Sequence, residues 1–158
     1  MGTTEGDGKS MWQQLGGMIG GIFGGRLSAE EQVQVEVLFG LIGFLAKADG
    51  LITSYESEFA NQMMDNLKLS LGGREKALNA FNSGRTTGYD VEAEVKRFSA
   101  LHPSGSEEME RLFEALLRLS LSDGRMYRRE RDALERVATA FGLTNDALEA
   151  RLRALKVE

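Results

Sequence analysis

The chain reads as an all-α domain behind a glycine-rich arm. Apolar residues recur at helical spacing in several segments, and helix-start and helix-stop residues bracket those segments. No segment alternates apolar and polar residues between turn signals, as a half-buried strand would. The 158 residues are 42% apolar and 27% charged, with one proline, which suits one folded domain with chain enough for a core. Nine of the 19 glycines fall in the first 25 residues. Residues 1–27 therefore form the arm, and residues 28–158 the helical body.

Ser28 and Glu31 open the body as a capping box, hydroxyl and carboxylate each satisfying a backbone N–H of the other. Val33, Val37, Leu38, Leu41, Ile42, Phe44 and Leu45 then predict a helix to about Ala48. Gly40 and Gly43 cost that helix propensity, which points to close approach of a neighbouring helix. Thr53 and Glu56 form a second box, opening a helix with Phe59, Met63, Met64 and Leu67. Arg74 to Ser83 follows, stopped by Gly84, and then Val91 to about Ala100, opened by Asp90. Glu107 to Leu121, Arg128 to Phe141 stopped by Gly142, and Asn145 to Leu155 complete the set.

Composition removes several functions. Without cysteine there is no disulfide, thiolate zinc site or cysteine nucleophile, and one histidine excludes a His-rich metal cage. A net charge of −5 argues against a nucleic-acid partner, because phosphates want a basic face. Residues 1–79 carry 6 basic and 10 acidic side chains, and residues 80–158 carry 13 and 14. The arginines of the second half are thus matched by acid, as on solvated helix faces. Arg125, Arg128, Arg129 and Arg131 are the densest basic cluster, yet Glu130 and Asp132 sit among them.

An internal repeat is the most informative feature. Shifting "LFGLIGFLAKADGLITSYE" by 74 positions overlays it on "LFEALLRLSLSDGRMYRRE", with 6 identities in 19 residues. Leu38, Phe39, Leu45, Asp49, Gly50 and Glu56 match Leu112, Phe113, Leu119, Asp123, Gly124 and Glu130. Each unit is an apolar helix, an Asp-Gly turn and a second helix carrying Glu. An EF-hand would put Gly and Glu at these two places, but its leading carboxylate positions hold Leu45 and Lys47, then Leu119 and Leu121. That reading is rejected.

Two readings of the doubled motif stand. In one, Gly50 and Gly124 end helices in the left-handed conformation and Glu56 caps the next helix. In the other, a pseudo-twofold brings Asp49, Glu56, Asp123 and Glu130 together around a hard cation, Ca²⁺ or Mg²⁺. No cofactor is required by the first.

The body resembles the TerB-like helical domain, and it is especially similar to the version found in DjlA-type membrane-anchored DnaJ-like proteins. The resemblance runs from about Gln32 to Leu152 and rests on "LAKADGLITSYE", "ALNAFNSGRTTGYDVEAEVKRF" and "LSLSDGRMYRRERDALERVATAFGLT". It implies a bundle of about seven helices and an association with tellurite, metal or envelope stress. It also implies a metal site at the acidic residues of the Asp-Gly units, here Asp49, Glu56, Asp123 and Glu130. DnaJ-like relatives carry a J domain with a His-Pro-Asp motif, whereas His102-Pro103 is followed here by Ser104. Stimulation of an Hsp70 partner is therefore not expected of this chain alone. A stand-alone TerB-like protein and a regulatory segment of a longer co-chaperone both fit.

Met11 to Gly25 is 15 residues without a charge. Gly16, Gly20 and Gly24 recur every fourth residue, the spacing at which membrane helices approach closely. Leu15, Met18, Ile19, Ile22 and Phe23 can share a helix side, with Trp12 at the edge as an interfacial anchor. As a helix it would reach only about 22 Å, against roughly 30 Å of hydrocarbon, so a full span is not expected. Glu5 and Asp7 also spoil a signal peptide. A membrane-surface or self-associating helix, a flexible tail and an arm docked on the body remain. The location expected is cytoplasmic, at the inner face of the membrane.

No nucleophile elbow, P-loop, HExxH or dinucleotide fingerprint occurs, so no enzyme is expected. His102, beside Pro103, is expected to be an exposed loop residue rather than a general base. The reading is a non-enzymatic sensor or scaffold for an unidentified protein partner.

Overall fold

The computed structural model describes residues 28–48, 64–65, 69–121, 126 and 128–157, and all regular structure among them is helical. Six helices stand in chain order: α1 Ala29–Ala48, α2 Leu71–Gly84, α3 Val91–Leu101, α4 Glu107–Leu121, α5 Arg128–Ala140 and α6 Asn145–Val157. Of the helix expected from Thr53, Met64 and Asp65 are helical and the rest lies outside the described residues. Against the expected count of about seven, six helices stand among the described residues.

α1 is the hub. The Ser28 N–H donates to the Glu31 carboxylate at 2.9 Å, and the Glu31 N–H donates to Ser28 Oγ at 3.1 Å, so the capping box forms as expected. From Gln34 to Leu45 nearly every α1 side chain is buried, as in a helix wrapped on all sides. α1 packs most extensively on α2 and also meets α3, α4 and α5.

Glycine sets the α1–α2 distance. A Cβ on Gly43 would overlap the Phe81 carbonyl, and one on Gly84 would overlap the Gly40 carbonyl. The two backbones therefore touch directly, which recovers in packing what Gly40 and Gly43 cost in helix propensity. Two details depart from the sequence reading. α2 starts at Leu71 rather than Arg74, because the Ser70 hydroxyl accepts from the Gly73 N–H at 3.2 Å and caps the helix earlier. Gly84 is not a left-handed stop: it is the last helical residue, followed by Arg85 at φ −82°, and its lack of a side chain serves the α1 contact.

The other helix ends follow their caps. The Asp90 carboxylate accepts from the Ala93 N–H at 3.0 Å to start α3, and the Ser106 and Thr144 hydroxyls accept at 3.2 and 3.1 Å to start α4 and α6. Gly142 adopts φ +87° and ends α5 as expected. The core gathers around Phe141, whose ring meets Phe113 edge-on at 5.8 Å and Phe98 at 6.3 Å. The repeat is legible in the packing: Leu38 and Phe39 of α1, and their counterparts Leu112 and Phe113 of α4, are all buried.

Candidate functional site

Where α1 ends, the 85–90 turn and α5 come together around a cleft of about 640 Å³. Phe44, Lys47 and Ala48 line it from α1, Thr86 to Asp90 from the turn, Glu92 from α3, and Arg129 and Arg136 from α5. Gly88, at φ +87°, supplies the left-handed step that folds the turn over the cleft. Lys47 Nζ donates to Thr87 Oγ1 at 2.9 Å and ties the turn to α1.

Arg136 holds the opposite wall. Its Nε and Nη2 each donate to Glu92 at 3.0 Å, and its guanidinium lies 5.5 Å from the centre of the Phe44 ring. Tyr89 packs on Phe44 with ring centres 6.1 Å apart. Its hydroxyl is buried with no hydrogen-bond partner, and burial, with the Glu94 charge adding, pushes the phenol above its ordinary range. The lining is thus amphipathic, with aromatic rings and cations around a threonine-glycine turn.

The bonds from Arg136 pull the Glu92 carboxyl below its ordinary range. A lowered carboxylate pKa adds stability above the unfolded value, and that contribution is lost as pH falls through the folded value. The pair is solvent-exposed, so the contribution is small. Arg136→Ala is expected to return the Glu92 titration to the ordinary carboxylate range, as read by carboxyl carbon shifts against pH.

The expected cation ligands are only partly in view. Glu130 sits half-buried in the first turn of α5, while Asp49, Glu56 and Asp123 lie outside the described residues. Ala48, the residue before Asp49, and Arg129, the residue before Glu130, line the same cleft. Among the described residues, no three His, Asp or Glu side chains gather closely enough to hold a metal ion. The arm positions Trp12, Leu15, Gly16, Met18, Ile19, Gly20, Ile22, Phe23 and Gly24 also lie outside them.

His102 corrects an expectation. It is buried at 4% exposure rather than solvated in a loop. Its N–H closes the end of α3 on the Phe98 carbonyl at 2.8 Å, which turns the imidazole inward against the Phe98 ring at 4.9 Å. Gln34 of α1, also buried, meets it at 3.0 Å. A helix end followed by proline looked like a surface loop, and only the distant Gln34 shows otherwise.

Phe44, Tyr89 and Arg136 were not singled out as site residues in the sequence, since each reads there as an ordinary helix or turn residue. The stretch "GRTTGYD" lies within a segment on which the resemblance rests, and its Thr86 to Asp90 form one wall of the cleft.

The family model for tellurite resistance protein TerB matches residues 28–153. The chain belongs to the TerB family. The TerB match starts at Ser28, where the α1 capping box begins. The co-chaperone protein DjlA of Vibrio cholerae is 30% identical over 139 residues, which is 87% of this chain and 49% of that protein. DjlA of Photobacterium profundum is 29% identical over 140 residues, 87% of this chain and 50% of its own length. DjlA of Haemophilus influenzae is 22% identical over 133 residues, 84% and 46% respectively. This TerB chain therefore spans about half the length of the curated relatives it matches. No solved structure matches it. Among the described residues, no helix is long and apolar enough to cross a membrane.

Proposed function

We propose that this TerB domain is a non-enzymatic protein-docking module of a co-chaperone system, with the α1–turn–α5 cleft as its docking surface. The cleft carries the proposal: rings of Phe44 and Tyr89 offer apolar area, and Lys47 and Arg129 stand at its edge to orient a polar partner segment. Relatives named as co-chaperones supply the context. The test replaces the matched segment of Vibrio cholerae DjlA with this chain and measures co-chaperone activity. Retained activity supports the context, and loss in a folded chimera rejects it. Thr87→Trp, on the exposed turn, fills the cleft and is expected to lower that activity at least tenfold, with Tm lowered by no more than loss of the one exposed Lys47–Thr87 bond allows. Equal activity would remove the cleft from the proposal.

A second reading is a divalent-cation-linked stress protein of the tellurite, metal or envelope response, with Ca²⁺ or Mg²⁺ held by Asp49, Glu56, Asp123 and Glu130. It is favoured by the two chain neighbours, Ala48 and Arg129, lining one cleft. Amide spectra during Ca²⁺ and Mg²⁺ titration test it. Saturable shifts at both Asp-Gly units, lost in Asp49→Asn/Asp123→Asn, support it, and a flat titration returns the motif to helix capping. In either reading, residues 11–25 tether the module to the inner face of the membrane or to a second copy. Equal liposome co-sedimentation of residues 1–158 and 28–158 would refute the membrane tether.

A further inference from the structure

The charged groups of the cleft divide into engaged and open ones. Glu92 has both carboxylate oxygens on Arg136, and Asp90 uses Oδ1 to cap α3 on the Ala93 N–H. Lys47 gives one N–H to Thr87 Oγ1 and has two more to give. Arg129 is exposed at the start of α5, and among the described residues no carboxylate pairs with it. What the lining leaves open is chiefly hydrogen-bond donors on cations, beside the rings of Phe44 and Tyr89.

We propose that the partner segment taken by this cleft is acidic: an extended stretch of protein with an aromatic anchor against Phe44 and Tyr89 and carboxylates on Lys47 and Arg129. This inference rests on the cleft being a docking surface and names the chemistry of what docks. Phe44 and Lys47 are three residues apart on α1 and so are neighbours on one face, with Cβ atoms about 5–6 Å apart. In an extended segment, side chains two residues apart point the same way at about 7 Å. An acid two residues from the anchor therefore meets Lys47 while the anchor meets Phe44. Arg129 offers a planar fork of donors that fits a carboxylate in two parallel bonds. The fork also fits a phosphate, but a phosphate carries up to about two negative charges, and Asp90 and Glu92 repel these more than the single charge of a carboxylate. The chain's net charge of −5 does not decide the matter, because charges more than about 8 Å apart are largely screened at physiological salt.

The probes are three capped octapeptides of serine with one central phenylalanine. They carry aspartate, lysine or further serine two residues to each side of it. Each is titrated into the full chain while amide spectra are recorded. The aspartate probe is expected to give saturable shifts at Lys47, Thr87, Gly88 and Arg129, and the other two to bind at least about tenfold more weakly. Arg129→Glu, at an exposed site, is expected to weaken the aspartate probe by at least about tenfold at unchanged Tm. Lys47→Glu/Arg129→Glu should prefer the lysine probe. Equal affinity for all three probes, or preference for lysine by the unaltered chain, would overturn the inference. If Thr87→Trp abolishes that unselective binding, the docking reading stands without it. Silence toward the aspartate probe overturns the inference too, and the DjlA chimera then judges docking separately. So do aspartate-probe shifts that persist in Thr87→Trp, which would put the acid contact outside the cleft. Phosphatidylglycerol vesicles that shift these amides when the aspartate probe does not would make the occupant a lipid surface, and refute an acidic protein segment.

Discussion

Phe141→Ala is expected to destabilise the domain by about 3–5 kcal/mol, the range for removing a fully buried aromatic ring. Phe141 is 1% exposed and stands where α3, α4 and α5 meet, with the Phe98 and Phe113 rings against its faces and edges. Its main-chain carbonyl accepts from Ser104 Oγ at 3.2 Å, a bond that the alanine variant keeps, so the loss is one of ring packing alone. Urea denaturation checks this: the midpoint should fall sharply with the slope preserved. Leu78→Ala, at a site 46% exposed, should change the unfolding free energy by no more than about 0.5 kcal/mol.

Gly84→Ala is expected to cost about 1–3 kcal/mol through overpacking, although helix propensity alone would reward it by up to about 1 kcal/mol. The obstacle is the Gly40 carbonyl, part of a buried helix backbone that cannot rotate aside. Gly72 is the control. It lies in the same helix, and a Cβ there would meet nothing within 4 Å, so Gly72→Ala should be neutral or stabilising. Paired thermal melts with opposite signs would establish that backbone contact, not propensity, governs the α1–α2 seam. Equal shifts would reject it.

What the sequence made legible was local or periodic. The Ser28–Glu31 box, the Asp90 cap and the Gly142 stop each depend on residues within three or four positions, and each stands where expected. Gly40 and Gly43 were legible as a close approach because glycine inside an apolar helix has few other uses. The errors came where a residue had two roles available. Gly84 resembled a helix stop and proved to be a packing surface. The Ser70 cap was missed because the helix was started after Gly72 and Gly73, though glycine is tolerated in a first turn once a hydroxyl caps it. His102 and the cleft were hidden for a different reason: Gln34 is 68 positions from His102, and Arg136 is 44 from Glu92, distances over which no local pattern speaks.

The three glycines of the α1 seam differ in what a lineage can do about them. At Gly43 and Gly84 the obstructing atom is a carbonyl, which every amino acid carries, so no second change elsewhere can make room for a side chain. At Gly40 the obstructing atom is the Tyr89 hydroxyl, which belongs to one side chain and has no hydrogen-bond partner to lose. Trimming it to phenylalanine removes the overlap without orphaning anything and leaves a ring carbon at 3.1 Å, which a small shift of that side chain relieves. Intragenic suppressors should therefore arise readily for Gly40→Ala, at Tyr89, and not for the other two, making Gly40 the one place along this seam where drift has an exit.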